Sequence, residues 1–266
     1  MNSLTESGCS IFFLKRVQQM TLIIFLAQEQ IYRRYCGSLL GMAWSLVHPL
    51  CYILILTLVF TTIIPVHIDR FAIYLSAGLM PWSFLSNALV AGTRSLTDRR
   101  GVLESSPLCG LTFILADTTA EFLSFLPGYG LLIGIVILVR PELFFMMLIL
   151  PVAFLPFVLF VYSISIVTAY LSARFNDIPH LLQIFMTIMF WMVPIVYHPQ
   201  SIPQYLAPFL QMNPISVLIS PSQVMLHGGM TPTFKNLTLS YLVAGGALVF
   251  AFVVHRVMNR RIIYYL

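Results

Sequence analysis

Apolar residues in this chain do not alternate with polar ones. They run in long blocks broken by short polar or charged stretches. A helix that crosses a bilayer needs about 20 apolar residues. Six blocks qualify as candidate spans: 39–66, 71–92, 113–139, 143–173, 181–197 and 237–254. The fourth holds no charge and carries Pro151 and Pro156. It is too short for two spans and a turn, so it predicts one tilted or kinked helix. The apolar stretch 17–27 is shorter, with Lys15 and Arg16 before it and Glu29, Arg33 and Arg34 after it. That pattern predicts a helix lying in the membrane interface. The stretch 199–232 contains Pro199, Pro203, Pro208, Pro214, Pro221 and Pro232, yet is only mildly polar. It is too broken to span and too apolar for a free loop. Short re-entrant helices on the outer face fit both facts, because irregular backbone at that depth must be surrounded by protein or a water-filled cavity. The pattern predicts an all-α integral membrane protein: six transmembrane helices, an N-terminal interfacial helix, and outer re-entrant helices between spans five and six. It forms one domain over 1–266, with a cytoplasmic or interfacial segment 1–36, a six-span core 37–258 and a cytoplasmic tail 259–266.

Composition sharpens this picture. The chain has 266 residues, 59% hydrophobic and 9% charged, with a mean hydropathy of +0.92. Soluble domains are about 25% charged, and nine acids with fourteen bases cannot cover a water-exposed surface. With the N-terminus inside, eleven bases fall on the cytoplasmic side: Lys15, Arg16, Arg33, Arg34, Arg94, Arg99, Arg100, Arg174, Arg256, Arg260 and Arg261. Arg70, Arg140 and Lys235 fall outside. Such a bias orients a multi-pass protein and places both termini in the cytoplasm. Cys9, Cys36, Cys51 and Cys109 are scattered, with neither metal-site nor disulfide spacing. The first apolar run has no small-residue cleavage site after it, so no cleavable signal peptide is expected.

The chemistry that is missing narrows the function. There is no GxxxxGK[ST], and neither of the two lysines follows a glycine-rich loop, so this chain is not itself a P-loop ATPase. HExxH and GxSxG are absent, and the six histidines lie mostly in loops or at helix ends, where a structural role is expected. Asp117 and Glu121 lie four apart inside the third span and share a helix face. Three roles stay open for them: anchoring or subunit contact, a place along a substrate path, and proton coupling. The loop 97–112, "TDRRGVLESSPLCGLT", is the longest connection on the cytoplasmic side and has room for one short surface helix. Gly37/Gly41 and Gly130/Gly134 have GxxxG spacing, which permits close helix approach. Aromatics make up 14% of the chain. Tyr52, Phe60, Trp82, Tyr162 and Trp191 are candidates either for a conduit whose rings stack on sugar faces or for core packing.

Residues 31–50, "IYRRYCGSLLGMAWSLVHPL", carry a resemblance. A basic-aromatic run (Arg33, Arg34, Tyr35) leads into Ser38-Leu39-Leu40-Gly41, then Trp44, then Pro49-Leu50. This resembles the start of the membrane permease subunit of polysaccharide ABC exporters, which move O-antigen, capsule or teichoic-acid chains. "YLSAGLMPWSFLSNAL" (74–89), "ARFNDIPHLLQIFMTIMFWMVPIVY" (173–197) and "LAPFLQMNPISVLI" (206–219) continue it in order. The loop between spans two and three departs from the pattern. Pro107 is kept, but a lysine and a second proline are not.

The resemblance implies a homodimeric permease in the bacterial inner membrane with two copies of a separate P-loop ATPase, which would bind ATP and Mg. No cofactor is expected on this chain, and no nucleic acid. It implies a lipid-linked glycan substrate entering near Arg33, Arg34, Tyr35 and Trp44, with the arginines attracting phosphate. Anchoring to anionic lipid is the other reading of the two arginines. A permease without its own ATPase needs a surface for a motor, and the 97–112 loop is the place for it, with Asp98, Arg99, Arg100, Glu104 and Pro107 as candidates; an ordinary solvated loop is the other reading. The irregular stretch 199–232 makes Asn213 and Pro214 candidates for an outer gate. A drug- or lipid-exporting permease stays open as an alternative, as does a proton-coupled transporter using Asp117 and Glu121.

Overall fold

The computed structural model describes residues 3–63, 68–105, 109–197 and 212–258, with side chains from residue 18 onward except at 63. Every regular element among them is helical. Helix α1 runs Ser3–Tyr35, α2 Trp44–Leu58, α3 Phe71–Ser95, α4 Arg100–Ser105 and α5 Gly110–Val139. They are followed by α6 Phe144–Met147, α7 Leu150–Arg174, α8 Ile178–Met192, α9 Pro214–Gln223 and α10 Phe234–Met258.

Among the described residues, five helical stretches are long and apolar enough to cross a membrane: Gly41–Thr62, Phe71–Ser95, Gly110–Val139, Leu150–Arg174 and Phe234–Met258. The expected fifth span is different. It begins at Ile178 and stops at Met192, a rise of about 22 Å against a hydrocarbon core of about 30 Å. The cause is Pro194, whose ring disfavours helical backbone at the preceding residue. Val193 accordingly sits at φ −97°, ψ 132°. The expected fourth block also breaks. A turn at Pro141–Leu143 and the four-residue α6 precede α7, so the 31-residue block supplies one 25-residue span. The interfacial helix expected over 17–27 is part of the 33-residue α1, which continues through the charged residues to Tyr35. A Glu29–Arg33 pair at i,i+4 (2.7 Å) supports that extension.

Helix α3 is the buried centre. Seventeen of its 25 residues are buried, from Phe71 to Ser95. It packs against α2, α5, α7, α8 and α9. Gly92 permits the close approach to α7: a Cβ there would lie 3.1 Å from the Ser165 carbonyl oxygen. Stacked rings fill the space between α3, α5 and α7, with Phe84–Phe125 at 5.2 Å, Phe125–Tyr129 at 4.8 Å and Tyr129–Phe154 at 4.9 Å. Helix α10 lies mainly on α7, and α1 lies on α5. Gly37 (φ 79°) and Gly41 (φ 51°) form the turn between α1 and α2 and have open space where a Cβ would stand. Their GxxxG spacing therefore serves a change of direction, not close packing.

The two ends of the bundle differ. Arg34, Arg94, Arg99, Arg100, Arg174 and Arg256 lie at or beside one end, and Arg70 and Arg140 belong to turns at the other. That opposite end is tied by hydrogen bonds. Tyr74 Oη lies 2.9 Å from the Pro194 carbonyl and 2.7 Å from that of Tyr197. His227 Nε2 lies 2.8 Å from the Asp69 carbonyl, and Arg140 Nη1 donates to the His227 carbonyl at 3.0 Å.

Candidate functional site

A cavity of about 930 Å³ opens between the C-terminal end of α1 and helices α2, α3, α5 and α8. Its lining follows from helical periodicity. On α3, Ser83, Asn87, Val90 and Arg94 recur at three- and four-residue steps, with Ser86 beside Asn87, so one face of an apolar helix carries polar groups. Across the cavity α8 presents His180, Gln183 and Thr187 at steps of three and four. Helix α2 adds His48 and Tyr52, with Ser45 and Trp44 at its N-terminal turn. A polar lane with aromatic walls thus runs between helices whose outward faces are apolar. Leu181, Ile184, Phe185 and Ile188 line the outside of α8, all at least half exposed.

Several of the residues singled out in the sequence meet here. Arg34, Tyr35, Trp44, Tyr52, Trp82 and Trp191 all line the cavity. Trp82 is 7% exposed and packs on Phe190 at 5.7 Å, which in turn meets Trp191 edge-on at 5.4 Å. Two expected conduit aromatics lie elsewhere. Phe60 packs against Phe71 at 6.0 Å. The Tyr162 hydroxyl is 2.9 Å from Thr119 Oγ1, in the α5–α7 contact. A phenol this deep needs a polar partner, and Thr119 supplies it without a water-filled path.

The two arginines of the opening motif diverge. Arg33 points away, pairs with Glu29 and is exposed. Arg34 turns inward and forms a bidentate pair with Glu121, which is 5% exposed. The Glu121 hydrogen bond raises Arg34 above its ordinary pKa, outweighing the opposite effect of burial. One turn earlier on α5, Asp117 (2% exposed) takes both Arg99 amino groups, at 2.6 and 2.7 Å. Arg99 also donates to the Ser95 carbonyl at 3.1 Å and lies over the Phe113 ring at 5.3 Å. Each intramembrane acid therefore has a geometrically matched guanidinium.

Asp98 is exposed, and Arg100 pairs with Glu104 at 2.9 Å on the outside of α4, the short helix expected in the 97–112 loop. Pro107 lies outside the described residues, as does the part of the proline-rich stretch before Met212. Asn213 and Pro214 start α9. Asn213 Oδ1 accepts from the Ile215 amide at 3.0 Å, and Pro214 occupies the first turn, an ordinary N-terminal capping arrangement.

Arg94, His48 and His180 also line the cavity, though the sequence motifs do not point to them. Among the described residues no acid lies within ion-pair distance of Arg94. The signal is polar residues at helical spacing within or just beyond the apolar blocks: His48 inside the first, Arg94 after the second and His180 before the fifth. The total hydropathy of a block hides it, because only the separate faces of the helix differ in polarity.

The fold and cavity define a multi-pass helical membrane protein with a polar, aromatic-walled groove. No protein-family model matches the chain. It is similar to the O-antigen export system permease protein RfbA of Myxococcus xanthus, 26% identical over 225 residues. That match covers 83% of this chain and 85% of the relative. Two Klebsiella pneumoniae proteins of the same name are 24% and 22% identical over 224 and 223 residues, with the same coverage. The resemblance carried by the sequence motifs therefore extends over most of the chain.

Proposed function

We propose that this chain is the membrane permease subunit of an ATP-driven exporter that moves a lipid-linked polysaccharide across the bacterial inner membrane. The observation that carries the reading is the polar lane between α2, α3 and α8, walled by Trp44, Tyr52, Trp82 and Trp191, in a chain similar to three O-antigen export permeases over 83% of its length. Aromatic faces and amide or hydroxyl groups together suit a sugar chain, which presents apolar faces and hydroxyl edges. A pocket for a small hydrophobic drug needs few polar groups, so the lining favours the glycan. The arginine partners of Asp117 and Glu121 favour anchoring over proton carriage.

In this reading the basic end faces the cytoplasm, following the charge bias, and both termini lie there. Helix α8 with the residues after it completes a sixth crossing, and the segment containing α9 enters and leaves the outer face. Two permeases face one another, and two copies of a separate P-loop ATPase, which bind ATP and Mg, press on the 97–112 loop. Arg94, with no acid beside it among the described residues, offers a guanidinium for a substrate phosphate at the cytoplasmic end of the groove, a role that Arg33 and Arg34 are less free to take. Purifying the tagged protein from its native membrane in mild detergent tests the reading. A stoichiometric P-loop ATPase, whose activity changes when residues 100–105 are altered, supports it. An intact, monodisperse protein with no ATPase refutes it.

A further inference from the structure

Asp117 and Glu121 stand on consecutive turns of one face of α5, about 6 Å apart along its axis. Their partners come from different parts of the chain. Arg99 belongs to the turn just before α4, and Arg34 ends α1 and lines the groove. Each pair is bidentate, which fixes orientation as well as distance. Packing reinforces both joints. Leu96 and Leu103, on either side of Arg99, are buried with Phe113 and Ile114 of α5. Ala27 and Ile31 of α1 are buried against Ala120 of α5.

We infer that the Arg99–Asp117 and Arg34–Glu121 pairs make α5 a mechanical link, carrying displacement of the α4 region to the floor of the groove. The inference rests on the proposed function, since it needs a motor subunit that moves α4. Arg99 is then not a motor-contact residue but the joint behind that contact. Pushing α4 moves Arg99, and the fixed pair hands the motion to α5. Glu121 and Arg34 then shift together, one turn further along, inside the groove. Asp117 and Arg99 are positioning residues, as neither lines the groove.

A plain anchor and a link respond differently to substitution. An apolar pair of similar volume replaces a buried ion pair with little loss of stability, but it does not fix orientation. The test uses the permease with its motor subunit in lipid nanodiscs. Its four native cysteines are replaced, and spin labels are placed at Leu126 on α5 and Leu181 on α8, exposed positions outside the groove lining. In the otherwise unaltered protein, ATP should change the 126–181 distance. With Arg99→Met and Asp117→Leu together, that change should vanish and glycan exported per ATP should fall about tenfold, within the range of coupling energies between sites. Thermal stability and ATPase rate should stay near those of the unaltered complex. Arg99→Lys keeps the charge without the fork, so it secures an assembled variant, and it should lower export per ATP in the same direction. Retained export and distance change in either assembled variant overturns the link. So does an unaltered complex that exports without any 126–181 change. Absence of a motor subunit from the purified complex refutes the proposed function instead.

Discussion

Removing Arg34 and removing Glu121 break the same ion pair, yet the two substitutions have unequal costs. The Glu121 side chain is 5% exposed, while that of Arg34 is 37% exposed. Arg34→Met leaves a nearly buried carboxylate without its partner, and breaking a buried pair from that side costs about 3–5 kcal/mol. Glu121→Gln leaves a long guanidinium that swings to solvent, so its cost is about 1 kcal/mol, near that of a partly exposed pair. Arg34→Met with Glu121→Leu removes both charges and recovers most of the loss. In a chain of this size about 1 kcal/mol corresponds to roughly 2–4 °C, so Arg34→Met should melt roughly 10 °C below the unaltered protein. Glu121→Gln should stay within about 4 °C by the same scaling. The assay is a thermal ramp in detergent, with the surviving monodisperse fraction read by size-exclusion chromatography. Equal losses from the two single substitutions would refute the reasoning. So would a double variant no more stable than Arg34→Met.

Other outcomes follow from named contacts. Gly229→Ala forces a Cβ to within 2.6 Å of the Arg140 guanidinium at φ 63°. The backbone strain and the lost Arg140–His227 bond should together cost about 2 kcal/mol, read in the same thermal assay. Gly130 and Gly134 have nothing within 4 Å of where a Cβ would stand. Changing both to Ala should leave the isolated chain as stable or slightly more so; loss of self-association alone would mark that face as a contact between copies. Arg94→Gln should lower surface glycan about tenfold, the effect of losing a charge-assisted contact, whereas Arg33→Gln should leave it unchanged. Equal effects would remove Arg94 from its proposed role.

Most of the fold was legible because a membrane imposes a length rule. The spans beginning at Phe71, Gly110 and Phe234 differ from the apolar blocks by a few residues, where helices run on past the last strongly apolar position. The helix of the fifth block is shorter than the block for a local reason: Pro194 ends α8 whatever the hydropathy around it. Blocks alone also could not show that α1 continues through its charges, since the Glu29–Arg33 pair appears only once the helix is drawn. Within the site, the aromatic and basic opening motif was legible, but the partner of Arg34 was not. Arg34 meets Glu121 across 87 positions, a pairing no local pattern encodes. Phe60 and Tyr162 looked like conduit residues because depth in a span does not say which face a ring occupies.

The central claim is outward movement of a lipid-linked glycan, so the most direct measurement follows that glycan in cells lacking this chain. Surface polysaccharide is read by gel and antibody, and lipid-linked glycan is quantified on the inner leaflet of isolated inner-membrane vesicles. The account predicts that surface glycan disappears while the lipid-linked form accumulates inside, and that the intact chain, but not Arg94→Gln, restores export. Normal surface glycan without the chain, or loss of the glycan with no accumulation inside, would contradict it.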